Sequence, residues 1–271
     1  MSDPLADADY RSTLRAAASE LSRAKKVLAI TGAGISADSG LPVYRGMGGL
    51  YEDSETEDGV RIEDALSVAM LRRRPEVTWK HLLQIAQACE GRLPNAGHLA
   101  LAAMERHFPH FTVLTQNVDG LHHAAGSKKL IEIHGDLREL FCERCGYRQP
   151  TPPQATLAGA PACPCCAATL RPSIVLFGEA LPKQAVADLE AVFDEGVDFV
   201  MIVGTSAGFP YIAGPVVQAA RAGLPTLEIN PARSEVSYVV RHRLPMRAAE
   251  ALPVLWALIE PQRCPAPLPA F

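Results

Sequence analysis

Short apolar runs alternate along the chain with segments in which apolar residues recur every three or four positions. The short runs predict buried strands at residues 26–31, 111–115, 129–133, 173–177, 198–203 and 226–229. The periodic segments predict helices at residues 10–25, 183–194, 212–222 and 249–259. Strands that alternate with helices are typical of a parallel sheet covered on both faces. The pattern therefore predicts an α/β fold with a Rossmann-like, doubly wound parallel sheet.

Two segments interrupt this alternation. Residues 46–94 begin with an acidic stretch and continue with apolar residues at helical spacing, which predicts a helical insertion. Residues 138–171 contain paired cysteines, which predict a smaller zinc-binding module. We expect the other segments to form the large domain, followed by a proline-rich tail at 261–271; these segments are 10–45, 95–137 and 172–260.

Four cysteines have the spacing of zinc ligands. Cys142 and Cys145 form one pair, and Cys163 and Cys166 form a second pair after residues 146–162. Two such pairs are typical of a tetrathiolate zinc site. Four thiolates leave no open coordination position, so we expect a structural ion. Cys165 remains an alternative to Cys163 or Cys166 as a ligand.

A glycine-rich turn follows the first predicted strand, where residues 32–40 read GAGISADSG. Glycines in such a turn let the backbone approach a pyrophosphate, and a following helix N-terminus favours its negative charge. Ser206 and Asn230 follow two later strands, at the sheet edge where ligands of parallel sheets bind. His134 also ends a predicted strand, and an imidazole titrates near neutral pH, as a general base requires.

The turn and its continuation to Arg45 resemble the NAD-binding signature of the sirtuins, GAGISxxSGIPDFR. The remaining sequence blocks of the family also have counterparts in this chain. These are the cysteine pairs and segments 115–122 (TQNVDGLH), 134–136 (HGD), 177–179 (FGE), 204–206 (GTS) and 228–230 (EIN). They occur in the family's order across residues 20–258. The resemblance implies NAD-dependent removal of acyl groups from protein lysines, which yields nicotinamide, O-acyl-ADP-ribose and free lysine.

The resemblance also implies roles for individual residues. His134 would deprotonate the ribose that carries nicotinamide, Asn117 would orient that ribose, and Val118 and Asp119 would hold the nicotinamide amide. The other implied NAD contacts are Gly32, Ala33, Gly34, Ser36, Tyr44, Arg45, Gln116, Gly204, Thr205, Ser206, Asn230 and Ala248. The acyl-lysine peptide would add as a strand beside a segment that contains Val175, Phe177, Gly178 and Glu179.

The chain departs from the sirtuin pattern at several positions. The family's PDFR reads PVYR at residues 42–45, and residues 48–51 resemble the glycine-rich loop of a short-chain deacylase branch. Desuccinylases of that branch bind the acyl carboxylate through a Tyr-x-x-Arg pair, which the helix after Trp79 lacks. We therefore predict a preference for a neutral acyl group, with acetyl first. Phe209 is expected near the adenine.

Composition narrows the choice of function classes. The 271 residues carry a formal net charge of −4, which provides no basic surface for nucleic acid or membrane lipids. No apolar run is long enough to span a membrane and no export signal is evident, so we expect a cytoplasmic protein. Mono-ADP-ribosyl transfer, NAD hydrolysis and non-catalytic NAD sensing are the alternative functions.

Overall fold

The structure is a computed structural model that describes residues 8–43, 56, 58–153, 156–157 and 159–259. Tyr44 and Arg45, both predicted to contact NAD, lie outside the described residues. The glycine-rich loop at 48–51 and the tail at 261–271 lie outside them as well.

A parallel sheet occupies the centre of the described chain. Its spatial order is β3 (Leu130–Glu132), β2 (His110–Thr115), β1 (Lys26–Thr31), β7 (Phe199–Val203), β8 (Thr226–Ile229) and β9 (His242–Leu244). Thr31 at the end of β1 pairs with Thr115 of β2 on one side and Val203 of β7 on the other. The strand order reverses at β1, and ligands of such sheets bind beyond the carboxyl ends at this switch point.

Helices cover both faces of this sheet, as the sequence predicted. On one face, α1 (Ala8–Leu21), α5 (Ala96–His107) and α9 (Ala248–Ile259) pack against residues such as Val27 and Ala29. On the other face, α7 (Lys183–Asp194) and α8 (Pro210–Arg221) pack against the alternate residues Leu28 and Ile30. Successive strand residues point to opposite faces, so a strand of continuous apolar residues is buried on both sides.

A second, antiparallel sheet has the order β5 (Arg148–Pro150), β4 (Gly135–Phe141) and β6 (Arg171–Ile174). The apolar run at 173–177 predicted a strand within the alternating α/β pattern, and this prediction was wrong. Residues 171–174 pair with β4 instead, and Phe177 forms a bridge with Ser67. A short apolar run indicates burial without indicating which sheet it joins. The sequence pattern also did not predict α5 or β9.

The helical insertion and the cysteine module pack on each other. The insertion comprises α2 (Ile62–Ala65), α3 (Val68–Arg73) and α4 (Pro75–Cys89). Trp79 of α4 is buried in one apolar cluster with Leu140 and Leu170, and its indole Nε1 donates to the Leu170 carbonyl oxygen at 3.0 Å. The two segments that interrupt the alternating pattern therefore share a hydrophobic core.

Candidate active site and metal centre

The glycine turn after β1 packs directly on the turn after β7. The Gly34 N–H donates to the carbonyl oxygen of Gly204 at 2.8 Å. A Cβ atom at Gly34 would lie 2.7 Å from the Gly204 Cα, and one at Gly32 would lie 2.6 Å from the Thr205 Cβ. Gly204 itself has a φ of +59°, a conformation that favours glycine. The close contact between these two turns therefore requires glycine at these positions, independently of any bound pyrophosphate.

A polar network joins the end of β2 to the glycine turn. Asn117 is buried, and its Nδ2 donates to the Gly32 carbonyl oxygen at 3.1 Å and to the Ser36 Oγ at 3.2 Å. The Ser36 hydroxyl in turn donates to the Asp119 Oδ2 at 2.7 Å. The structure thus brings together the residues predicted to surround the ribose and the nicotinamide.

Two buried histidines lie against this network. The His122 Nε2 is 2.9 Å from the Thr31 Oγ1, the His98 Nε2 is 3.4 Å from the Ser36 Oγ, and the two rings meet edge-on with centroids 5.0 Å apart. Burial lowers the pKa of His98 to about 4 and that of His122 to about 3, so both are neutral at pH 7. No role was predicted for His98 from the sequence. The available signal was its position three residues after Asn95, which caps α5.

The ends of β2, β7 and β8 also meet through side chains. The Gln116 Nε2 donates to the Thr205 Oγ1 at 2.9 Å, and the Asn230 Nδ2 donates to the Thr205 carbonyl oxygen at 2.9 Å. Ser206, which follows Thr205, is exposed at this edge. Ala248 is buried at the start of α9, where its backbone lies close to Gly97 of α5.

His134 follows β3 and is oriented by hydrogen bonds at both ring nitrogens. Its Nδ1 is 3.0 Å from the Gln116 carbonyl oxygen, and its Nε2 is 2.8 Å from the hydroxyl of Tyr211. Burial lowers the pKa of His134, and the hydrogen bond to Gln116 opposes only part of that effect. The imidazole is therefore neutral at pH 7, the form that accepts a proton.

Two aromatic residues of the segment after β7 contact the His134 ring. Phe209 lies edge-on to His134 with centroids 6.0 Å apart, and its proximity to the adenine stays a prediction. Tyr211 stacks on Phe209 and also meets His134 edge-on. Phe209 is the N-cap of α8 and Tyr211 lies in its first turn, so both aromatic residues lie at the start of that helix. No feature of the sequence pattern connects Tyr211 to His134, and only the tertiary structure brings them together.

The segment predicted to bind the peptide is anchored at both ends. The Val175 N–H donates to the His134 carbonyl oxygen at 2.9 Å, and the Phe177 N–H donates to the Leu66 carbonyl oxygen at 3.0 Å. Within the part of the chain that the structure describes, the Val175 carbonyl and the Gly178 N–H make no hydrogen bond. These two groups are the ones that an added strand would use.

Glu179 holds this segment in place from within the protein. The Arg171 guanidinium donates to both Glu179 carboxylate oxygens, at 2.5 and 2.7 Å, and the Leu176 N–H donates to the same carboxylate at 2.8 Å. Despite its partial burial, the carboxyl of Glu179 has a lowered pKa because Arg171 and this N–H stabilise its charge. We predicted Glu179 as a substrate residue, and in the structure its carboxylate is engaged by the protein.

A groove of about 730 Å³ separates the small sheet from α7 and β3. Gly135, Val175 and Gly178 line it, so it runs beside the predicted peptide segment. Arg72 also lines it and lies 3.8 Å from Glu143.

The four predicted zinc ligands converge. The sulfur atoms of Cys142, Cys145, Cys163 and Cys166 all lie within 4.8 Å of one another. A tetrahedral site with Zn–S bonds of about 2.3 Å places sulfurs about 3.8 Å apart, so the cluster has the right size. Cys165 is exposed and outside the cluster. The donor set therefore fits one structural zinc ion.

The two cysteine pairs lie in matching turns. The Gly146 N–H donates to the Cys142 carbonyl oxygen, and the Ala167 N–H donates to the Cys163 carbonyl oxygen, at 3.0 and 2.9 Å. Gly146 and Ala167 both have positive φ angles. This repeated turn directs both sulfurs of each pair to the same point.

The fold and site together define a class of protein: a dinucleotide-type α/β protein with an appended tetrathiolate zinc module. A family model described as the Sir2 family matches residues 32–209. The chain belongs to the Sir2, or sirtuin, family. Among the described residues, no helix combines the length and apolar character needed to cross a membrane.

Individual proteins resemble the chain over nearly its full length. NAD-dependent protein deacylase 2 of Pseudomonas aeruginosa is 46% identical over 249 residues, which cover 90% of this chain and 96% of the relative. A solved Sir2 homologue–NAD complex superposes with a TM-score of 0.80 at 28% identity, covering 92% of this chain and 93% of that one. A Sir2 variant solved with deacetylated p53 peptide and 3′-O-acetyl ADP-ribose gives 0.79 at 25% identity, covering 88% and 95%.

Proposed function

We infer that this protein is an NAD-dependent protein lysine deacylase. One observation supports this most directly: a neutral imidazole, His134, lies at the end of β3 with its Nδ1 held by the backbone of Gln116. That backbone leads into the Asn117–Asp119 network at the switch point of the sheet. A general base beside a dinucleotide site is the arrangement that acyl transfer to a ribose hydroxyl requires.

NAD, as co-substrate, supplies the ribose from which nicotinamide departs and whose hydroxyl takes up the acyl group. The protein's own groups orient that sugar and remove its proton. Both Nδ2 donors of Asn117 bond within the protein, which leaves its Oδ1 to accept from a ribose hydroxyl. The Asp119 carboxylate accepts from Ser36 and from the Leu121 N–H, and it retains lone pairs for the nicotinamide amide. The basic atom is the Nε2 of His134.

Replacement of His134 tests this assignment. We expect His134→Ala to fold and bind NAD but to deacetylate an acetyl-lysine peptide at least about 100-fold more slowly, because general-base catalysis contributes about 10²–10⁴-fold. His110→Ala is a matched control, since His110 is exposed at the start of β2. Mass spectrometry of the peptide measures turnover. A His134→Ala rate equal to that of the wild type would contradict the base assignment.

We further propose a preference for neutral acyl groups, with acetyl first. The face of α4 that packs near the peptide segment is apolar: Trp79, Leu82, Leu83 and Ile85 cluster with Leu176 and Phe177. This face offers no cation to an acyl carboxylate. We expect acetyl to be removed about tenfold or more faster than succinyl from one peptide, since an unpaired buried carboxylate is costly. Faster desuccinylation would contradict the proposal.

The location and partners follow as further proposals. We propose that the protein acts in the cytoplasm on acylated lysine side chains of other proteins. A formal net charge of −4 argues against nucleic acid as a partner. Cell fractionation followed by detection of the protein in the membrane or exported fraction would contradict this location.

A further inference from the structure

The hydroxyl of Tyr211 is hydrogen-bonded to the Nε2 of His134, the atom that is to accept a proton. The Gln116 carbonyl oxygen can only accept a hydrogen bond, so the Nδ1 of His134 carries the ring hydrogen. A neutral imidazole then has its lone pair at Nε2, and Tyr211, 2.8 Å away, is the donor to it. The Nε2 has one lone pair, so no substrate hydroxyl can donate to it while Tyr211 remains in place.

The ring of Tyr211 is held on several sides. It is the second residue of α8 and is half-buried against the apolar core beneath that helix. It stacks on Phe209 with centroids 5.3 Å apart and planes 13° apart, and it meets the His134 ring edge-on at 5.9 Å. Withdrawal of the hydroxyl would disrupt these ring contacts. The arrangement therefore favours a hydroxyl that stays in place during the reaction.

We propose that Tyr211 relays the proton from the ribose hydroxyl of the substrate to His134. This inference rests on the proposed function. A tyrosine oxygen that donates one hydrogen bond still has lone pairs with which to accept another. The ribose hydroxyl thus donates to the Tyr211 oxygen, and the Tyr211 hydroxyl donates to the Nε2 of His134.

The proton transfer balances without any additional reactant. The ribose oxygen forms a C–O bond with the acyl-derived carbon of the imidate, and the C=N π pair of that carbon moves to the lysine nitrogen. At the same time the ribose O–H bond breaks and its proton forms a new O–H bond with Tyr211. In the same step the original tyrosine proton passes to the Nε2 of His134. Tyr211 ends neutral and His134 ends as an imidazolium. The tyrosine is therefore a catalytic residue, because it touches the reacting hydroxyl.

Tyr211→Phe tests the relay because it removes the hydroxyl and keeps the ring contacts. Two rates are measured with NAD and an acetyl-lysine peptide: exchange of labelled nicotinamide into NAD, and formation of the deacetylated peptide. Nicotinamide departs before the ribose hydroxyl is deprotonated, so exchange does not need the relay. Tyr238→Phe is the control, because Tyr238 is 78% exposed.

We expect Tyr211→Phe to exchange nicotinamide at nearly the wild-type rate and to deacetylate roughly 100-fold more slowly, the scale of a lost proton-transfer group. A fall in deacetylation of less than about tenfold would overturn the relay, because the hydroxyl would then be dispensable. A parallel fall in both rates would also overturn it, since the hydroxyl would then serve NAD binding or folding. Absence of both reactions in the wild type would overturn the proposed function itself.

Discussion

Acidification from pH 7.5 to pH 5.5 should lower the free energy of unfolding by about 3 kcal/mol through the buried pair His98 and His122. Burial lowers the pKa of His98 to about 4 and that of His122 to about 3, whereas an unfolded histidine titrates near pH 6.5. Between those values the unfolded chain binds protons that the native protein does not bind. Stability is therefore complete above about pH 7 and falls as the pH falls towards 4.

The magnitude follows from the unfolded state alone. At pH 5.5 protonation of an unfolded histidine is favoured about tenfold, which stabilises the unfolded chain by roughly 1–2 kcal/mol for each histidine. The exact pKa values in the native protein have little effect on this free-energy change, because both lie well below 5.5. The pair together therefore gives about 3 kcal/mol, a large fraction of the 5–15 kcal/mol that is typical of a folded domain.

Urea unfolding at the two pH values, followed by the fluorescence of Trp79 and Trp256, measures this difference. The zinc content is checked at each pH, since thiolate ligands also bind protons. We expect His122→Asn to remove about half of the pH dependence and the exposed His110→Asn to leave it unchanged. Equal stability at pH 7.5 and 5.5, with zinc retained, would refute the reasoning from burial.

Further predictions concern the turns and the metal site. Gly34→Ala should destabilise the protein by about 1–3 kcal/mol, because the added Cβ would meet backbone atoms of Gly204. Gly214→Ala, in α8 with open space at that position, should be neutral or stabilise by up to about 1 kcal/mol, and urea unfolding of both glycine variants measures the two changes. Cys142→Ser should lose zinc and destabilise the small module, whereas Cys165→Ser should retain it, as metal analysis of both proteins will show. Equal effects of the two glycine variants, or equal zinc contents in the two serine variants, would contradict these assignments.

The elements that the sequence predicted best are those with a strong local signal. The predicted strands at 26–31 and 226–229 have the same bounds as β1 and β8 of the structure. The two-residue spacing within each cysteine pair is also a local signal, and the four predicted sulfurs converge in the structure. Local patterns of this kind depend on neighbouring residues alone, so they can be read without the tertiary fold.

Other features depend on contacts between distant segments. The pattern at 173–177 indicated burial, but only pairing with β4 shows that β6 belongs to the small sheet. The requirement for glycine at position 34 comes from Gly204, which lies far along the chain.

The same limit applies within the site. The sequence pointed to His134, but nothing local connects it to Tyr211, which lies 77 positions further along the chain. His98 contributes a buried imidazole that is visible only once α5 is placed beside the glycine turn. Such pairs form because the fold brings distant segments together, and no local sequence pattern indicates which distant residues will meet.

The central claim is that this site couples cleavage of NAD to acyl transfer from lysine. The most direct measurement is nicotinamide release from NAD with and without an acetyl-lysine peptide, with the products identified by mass spectrometry. The account predicts release only in the presence of the peptide, with equal amounts of nicotinamide, O-acetyl-ADP-ribose and deacetylated peptide. Release at the same rate without the peptide, or bound NAD with no release at all, would contradict it.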